Sequence, residues 1–135
     1  MTARRLDTHP VHLDARSAAL VQPEFPQGPQ AMQWYEDYER RTGADGTRGR
    51  LVSTFAFDSD WESWEMHPEG DEVVLCLEGN LTLIQELADG SVARTELSVG
   101  DYAINPAGVW HTADTHEPVR ALFITAGSGT KHRAR

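Results

Sequence analysis

An all-β fold, in the form of a sandwich, barrel or jelly roll, is what this sequence predicts for most of its length, preceded by an N-terminal arm and one short helix. Two observations carry that expectation. From Leu51 onward the chain divides into eight short β-rich runs, each closed by turn residues. Ahead of them, only one stretch, at about residues 30–41, has helical periodicity. At 135 residues the chain is the size of one domain and can bury a core without disulfide staples.

Taken in order, residues 1–30 are polar and hold four of the seven prolines, Pro10, Pro23, Pro26 and Pro29. A short apolar patch from Ala18 to Val21 fits one edge strand, and the rest reads as arm. The helix has Pro29 at its start, Arg40 and Arg41 in its last turn and Gly43 just past its end. Glu36 and Arg40 form an i,i+4 pair, and Ala31, Trp34, Tyr35 and Tyr38 make one apolar stripe. That stripe serves either as core packing or as a lid over a ligand mouth. The strand runs are Leu51–Phe57, Trp61–His67, Glu72–Glu78, Leu81–Leu87, Ser91–Leu97, Tyr102–Asn105, Val109–Asp114 and Val119–Ala126. Turn signals such as Glu78-Gly-Asn80, Asp89-Gly90 and Asn105-Pro-Ala-Gly108 separate them. Residues 127–135 are basic and lack periodicity, which predicts a flexible tail. The division is therefore an arm and helix over 1–49, a β-domain over 50–126 and a tail over 127–135.

Composition narrows the partners. Lys and Arg total 12 against 21 Asp and Glu, for a formal charge of −9. An acidic surface repels phosphate backbones and anionic headgroups, so no nucleic acid and no membrane partner is expected. The amino terminus is polar and interrupted by acids and does not read as a signal peptide. The lone cysteine, Cys76, has no internal disulfide partner, which leaves the compartment open with a cytoplasmic location preferred.

Alternate side chains of a strand share a face. Trp61, Ser63, Glu65 and His67 therefore point one way, as do Glu72, Val74, Cys76 and Glu78. Val73, Leu75 and Leu77 take the opposite face, so this strand is expected to be covered on both sides. An ionised Glu72 at its start is then expensive unless it is paired or bound to a cation. The turn Pro68-Glu-Gly-Asp71 brings His67 beside Glu72, with Asp71 as a turn or capping residue. Further on, Gly100, Pro106, Gly108 and His111 place a histidine at the start of a strand. Cys76 lies ~13 Å along the strand from Glu72, at a rise of ~3.3 Å per residue, and reads as a buried core thiol. His9 and His12 fall in the arm, and His116 falls on the opposite face from His111 and reads as surface.

Two segments carry a family resemblance. His67, Glu72 and Gly79 follow the spacing of the first motif of the cupin superfamily, and Gly100, Pro106, Gly108 and His111 that of its second. The chain resembles a small single-domain bacterial cupin over about residues 50–126. The resemblance implies a double-stranded β-helix, or jelly-roll barrel, usually as a homodimer, with a divalent metal bound inside by three His and one Glu. His67, Glu72 and His111 match three of those ligands. Glu65 stands where the first His would be, and Thr115 where an Asn is common.

Glu65 shares the face of His67, and a carboxylate is a legitimate ligand. The implied set is thus Glu65, His67, Glu72 and His111, formally neutral around a divalent ion. Exchanging an imidazole for an anion makes the site harder, which favours iron or manganese while leaving zinc or nickel possible. If Glu65 stays outside, two His and one carboxylate remain, the composition used by non-haem iron oxygenases. Trp61, Ser63 and Phe123 are candidates to line a pocket. Ser63 is the only hydroxyl on the Trp61–His67 face, no Ser-His-Asp set is visible, and no catalytic residue is assigned. Two functions are expected: a metal-dependent enzyme (dioxygenase, isomerase or lyase) acting on a small polar molecule, or a non-catalytic module that binds a metal or small ligand.

Overall fold

A computed structural model describes residues 1–135 as eleven strands and one α-helix. The strands are β1 (Val11–Leu13), β2 (Ala19–Val21), β3 (Arg50–Phe57), β4 (Ser63–Met66), β5 (Glu72–Glu78) and β6 (Leu81–Glu86), followed by β7 (Val92–Leu97), β8 (Tyr102–Asn105), β9 (His111–Asp114), β10 (Val119–Thr125) and β11 (Lys131–Ala134). They form two antiparallel sheets, ordered β2-β1-β3-β10-β5-β8 and β11-β4-β9-β6-β7. The helix, α1, spans Ala31–Thr42. It is not long and apolar enough to cross a membrane.

Alternation decides which side chains face the space between the sheets. On β5, Glu72, Val74 and Cys76 are buried and the residues between them only partly so. On β10, Val119, Ala121 and Phe123 point inward. With Leu81, Leu83, Leu97 and Ala113 they make one continuous core. Burial of each large side chain contributes about 1.5–3 kcal/mol. The turn into β6 depends on Gly79, whose φ is +76°. A Cβ there would collide with the Pro118 carbonyl.

The outer face of β5 departs from expectation. Val73, Leu75 and Leu77 are only partly buried, because no further layer of this chain lies over that face of the six-stranded sheet. Two strands also lie outside the sequence pattern. β1 is three residues long, too short to show a period, and it bridges β2 to β3. β11 lies within the segment expected to be a flexible tail. All four of its residues are exposed, so no hydrophobic pattern announces it. It forms by backbone pairing with β4, from Lys131↔Met66 to Ala134↔Ser63. Arg133 then stacks over Trp110 at 4.5 Å and Trp64 at 5.2 Å, and Arg135 bonds Asp114.

The helix both packs and faces the cavity described below. Trp34 and Tyr38 stack at 5.6 Å and bury against Leu51, and the Trp34 indole donates to the Pro23 carbonyl. Ala31, Tyr35 and Glu39 line the cavity. Arg40 pairs with Asp37 at 3.0 Å rather than with Glu36.

Candidate metal centre

Strand register assembles the centre. Glu65 on β4 is the cross-strand partner of His111 on β9. Glu72, at the start of β5, lies between Thr125 on β10 and Asn105 on β8. His67 follows β4 directly, and the turn to β5 folds it back toward Glu72. The four candidate ligands therefore meet inside the barrel. His67 Nε2 is 3.1 Å from Glu72 Oε2, and His111 Nε2 is 3.3 Å from Glu72 Oε1. Glu65 Oε2 is 3.9 Å from both nitrogens. Donor atoms of Glu65, His67 and His111 lie within 4.8 Å of one another, a spacing able to enclose one ion.

Hydrogen bonds fix how each ligand presents itself. Thr130 Oγ1 donates its one proton to the Gly127 carbonyl at 2.7 Å, so it accepts from His67 Nδ1 at 2.8 Å. Nδ1 of His111 faces the Val109 carbonyl at 3.4 Å, and a carbonyl only accepts. Both neutral rings thus carry their proton on Nδ1 and aim the Nε2 lone pair inward. Both Nε2 atoms are buried and neither is aligned for a hydrogen bond, despite the carboxylate beside them. Buried polar atoms rarely lack a partner, and a cation is the partner this donor set fits.

Glu72 is held from the opposite side. Thr125 Oγ1 donates to its Oε2 at 2.5 Å and Asn105 Nδ2 to its Oε1 at 3.0 Å. Gln85 in turn donates to Asn105 Oδ1 at 2.7 Å, which sets the direction of the Asn105 amide. Burial raises the Glu72 carboxyl, but the His67 imidazole beside it wins and holds it below its usual value. Burial likewise lowers His67, yet Glu72 keeps it above the usual histidine value. His111 is pushed down, chiefly by burial. Glu65 is half-buried and reaches His132 Nε2 at 3.3 Å on β11.

Above the centre opens a cavity of about 700 Å3. Trp61, Ser63 and Phe123 line it together with Glu65, His67 and Glu72. Other residues singled out in the sequence lie elsewhere. Cys76 is fully buried in the core, with Sγ toward the Gly79 carbonyl. Asp71 accepts from the Ala107 amide and ties the two turns together. Thr115 bonds the Asn80 carbonyl, His116 is exposed and His9 bonds Thr8. His12 is buried in the arm between Tyr38 and Asp45, at 2.7 Å from each. Sequence reading missed Thr125, Asn105 and Thr130, because their roles come from pairings that span 33 to 63 residues.

No curated protein matches the chain. Solved structures do. A double-stranded β-helix protein from Klebsiella pneumoniae superposes with a TM-score of 0.52 at 21% identity, over 64% of this chain and 76% of that one. Peruvianin-I, a cysteine peptidase from Thevetia peruviana latex, gives 0.54 at 15% identity, over 63% of this chain and 56% of that one. A hydroquinone 1,2-dioxygenase solved with Cd2+ and 4-hydroxybenzonitrile gives 0.50 at 18% identity, over 56% of each chain. This chain thus spans little more than half the length of the last two. At these identities the likeness shows the fold alone. The Cupin_2 family model, described as the cupin domain, matches residues 53–125, which contain all four candidate ligands, and the chain belongs to the cupin family.

Proposed function

We propose that this cupin binds a divalent metal through Glu65, His67, Glu72 and His111 and acts as a metal-dependent enzyme on a small molecule in the cavity above them. One observation supports it most: two buried imidazole nitrogens, whose Nδ1 sides face Thr130 and the Val109 carbonyl, converge on Glu72 and Glu65 with no aligned hydrogen bond to either. The donor set favours iron(II) or manganese(II), with zinc or nickel tolerated. Such an ion supplies Lewis-acid polarisation of a bound oxygen atom. The protein's own part is to orient the two rings, to balance the cation's charge with Glu72 and Glu65, and to shield the centre beneath Trp61 and Phe123. Freed from the ion, Glu65, half-buried beside His132, is the carboxylate best placed to hold or pass a proton at the cavity side. We also propose a homodimer.

Elemental analysis of protein purified without a metal-affinity tag tests the centre. About one ion per chain is expected. His111→Ala abolishes occupancy, and Glu65→Gln lowers it. A chain that takes up no ion on reconstitution overturns the reading, and unchanged occupancy in Glu65→Gln places that residue outside the ligand shell.

A further inference from the structure

The cavity walls say what kind of molecule fits beside the metal. Tyr35, Phe25, Phe55, Phe123 and Trp61 form an unbroken series of ring contacts from α1 down to the centre. Successive centroids are 5.6, 5.6, 5.9 and 6.1 Å apart, and Trp61 stands 6.5 Å from the His111 ring. Rings at such spacings offer edges and faces to another ring.

Charge is equally one-sided. Glu36, Glu39, Glu62, Glu65 and Glu72 all line the cavity. The chain has 12 Lys and Arg, and none of them does. His67 and His132 are the lining groups able to carry positive charge, and each faces a carboxylate, Glu72 or Glu65. An anion entering this space would lose water, meet five acids and find no cation of the protein that is not already paired with a carboxylate. A positively charged group would find both carboxylates and ring faces. Tyr35 adds a hydroxyl that is neutral at physiological pH, as any phenol is, and burial, then Glu65 and Glu72, raise it further.

We propose that the cavity selects planar aromatic molecules that carry no acidic group, either neutral or cationic. This narrows the small polar molecule expected from the sequence, and it rests on the reading above for the identity of the site. The selectivity belongs to the walls, however, and is present without the metal.

Ligand-observed NMR with benzyl alcohol, benzylamine, benzoate and cyclohexylmethanol tests it, on the chelator-stripped chain and on the zinc-loaded chain. In the stripped chain, benzylamine and benzyl alcohol are expected to bind about tenfold or more tightly than benzoate. Benzyl alcohol should also exceed cyclohexylmethanol. Trp61→Leu should weaken benzyl alcohol about fivefold with the melting transition retained, and Phe123→Leu should weaken it similarly while lowering stability, because Phe123 also belongs to the core. Benzoate binding as tightly as benzylamine in the stripped chain overturns the proposal, as does cyclohexylmethanol matching benzyl alcohol. Because the four ligands are compared on the unaltered protein, a variant that fails to fold does not disturb that comparison. Loss of zinc uptake with the selectivity preserved counts against the metal reading alone. Zinc uptake without the selectivity counts against this proposal alone.

Discussion

Thr130 shows how much a centre of this kind depends on residues that never touch an ion. Its hydroxyl accepts from His67 Nδ1 because its own proton is committed to the Gly127 carbonyl. Thr130→Val keeps the shape and removes the acceptor, so the His67 ring loses both its tautomer preference and its orientation. Metal affinity should fall about 10- to 100-fold, the usual loss for such partners, beyond the loss of about 1 kcal/mol in the metal-free chain expected from breaking the Thr130–Gly127 bond. Thr130→Ser restores the hydroxyl and should restore affinity, a rescue that a role in packing alone would not give. Competition with a chromophoric chelator measures all three proteins. Glu65, His67, Glu72 and His111 were legible in the sequence because alternation and two spaced motifs put them on inward faces. The supports of Glu72 were not. Thr125 and Asn105 reach it only through register between β10, β5 and β8, which no local pattern encodes.

Elements differ in how they announce themselves. β5 and β10 have buried inward positions in strict alternation, and their bounds follow from that pattern. β11 has none, and its stability comes from pairing with β4 and from Arg133 lying over Trp64 and Trp110. Removal of residues 131–135 uncovers both indoles and leaves the edge of β4 unpaired. That truncation should lower stability by about 1–2 kcal/mol, or about 5 °C in a thermal melt. It also takes away His132, so Glu65 loses a partner while His67 keeps Thr130. A melt unchanged by the truncation would mean that β11 contributes nothing to the fold. The turn at Gly79 is a harder constraint. Gly79→Ala combines a left-handed backbone penalty with a clash against the Pro118 carbonyl, and should cost about 3 kcal/mol by denaturant titration.

At the scale of the molecule, the two faces of the six-stranded sheet have different fates. The inner face closes the core and the centre. Its outer face carries a row of aligned β-branched residues, one from each strand: Val21, Val11, Val52, Ile124, Val73 and Ile104. Leu122, Leu75 and Tyr102 run alongside in register. Val21 is 44% exposed, Ile104 48% and Tyr102 66%, so the row ends in open apolar surface. The apolar residues on both faces of β5 predict cover on both. Nothing in this single chain supplies the second cover, and an apolar surface of this kind suits the homodimer proposed above. A second copy, related by a two-fold axis, would lay the same row against itself. Light scattering should then give a mass near twice the 15.0 kDa of one chain. Ile104→Lys puts a charge at the end of the row without touching the inner face, and should shift the protein to monomer while the aromatic selectivity of the cavity is kept. A monomer mass for the unaltered chain would refute the dimer, and a dimer that persists in Ile104→Lys would move its interface to another surface.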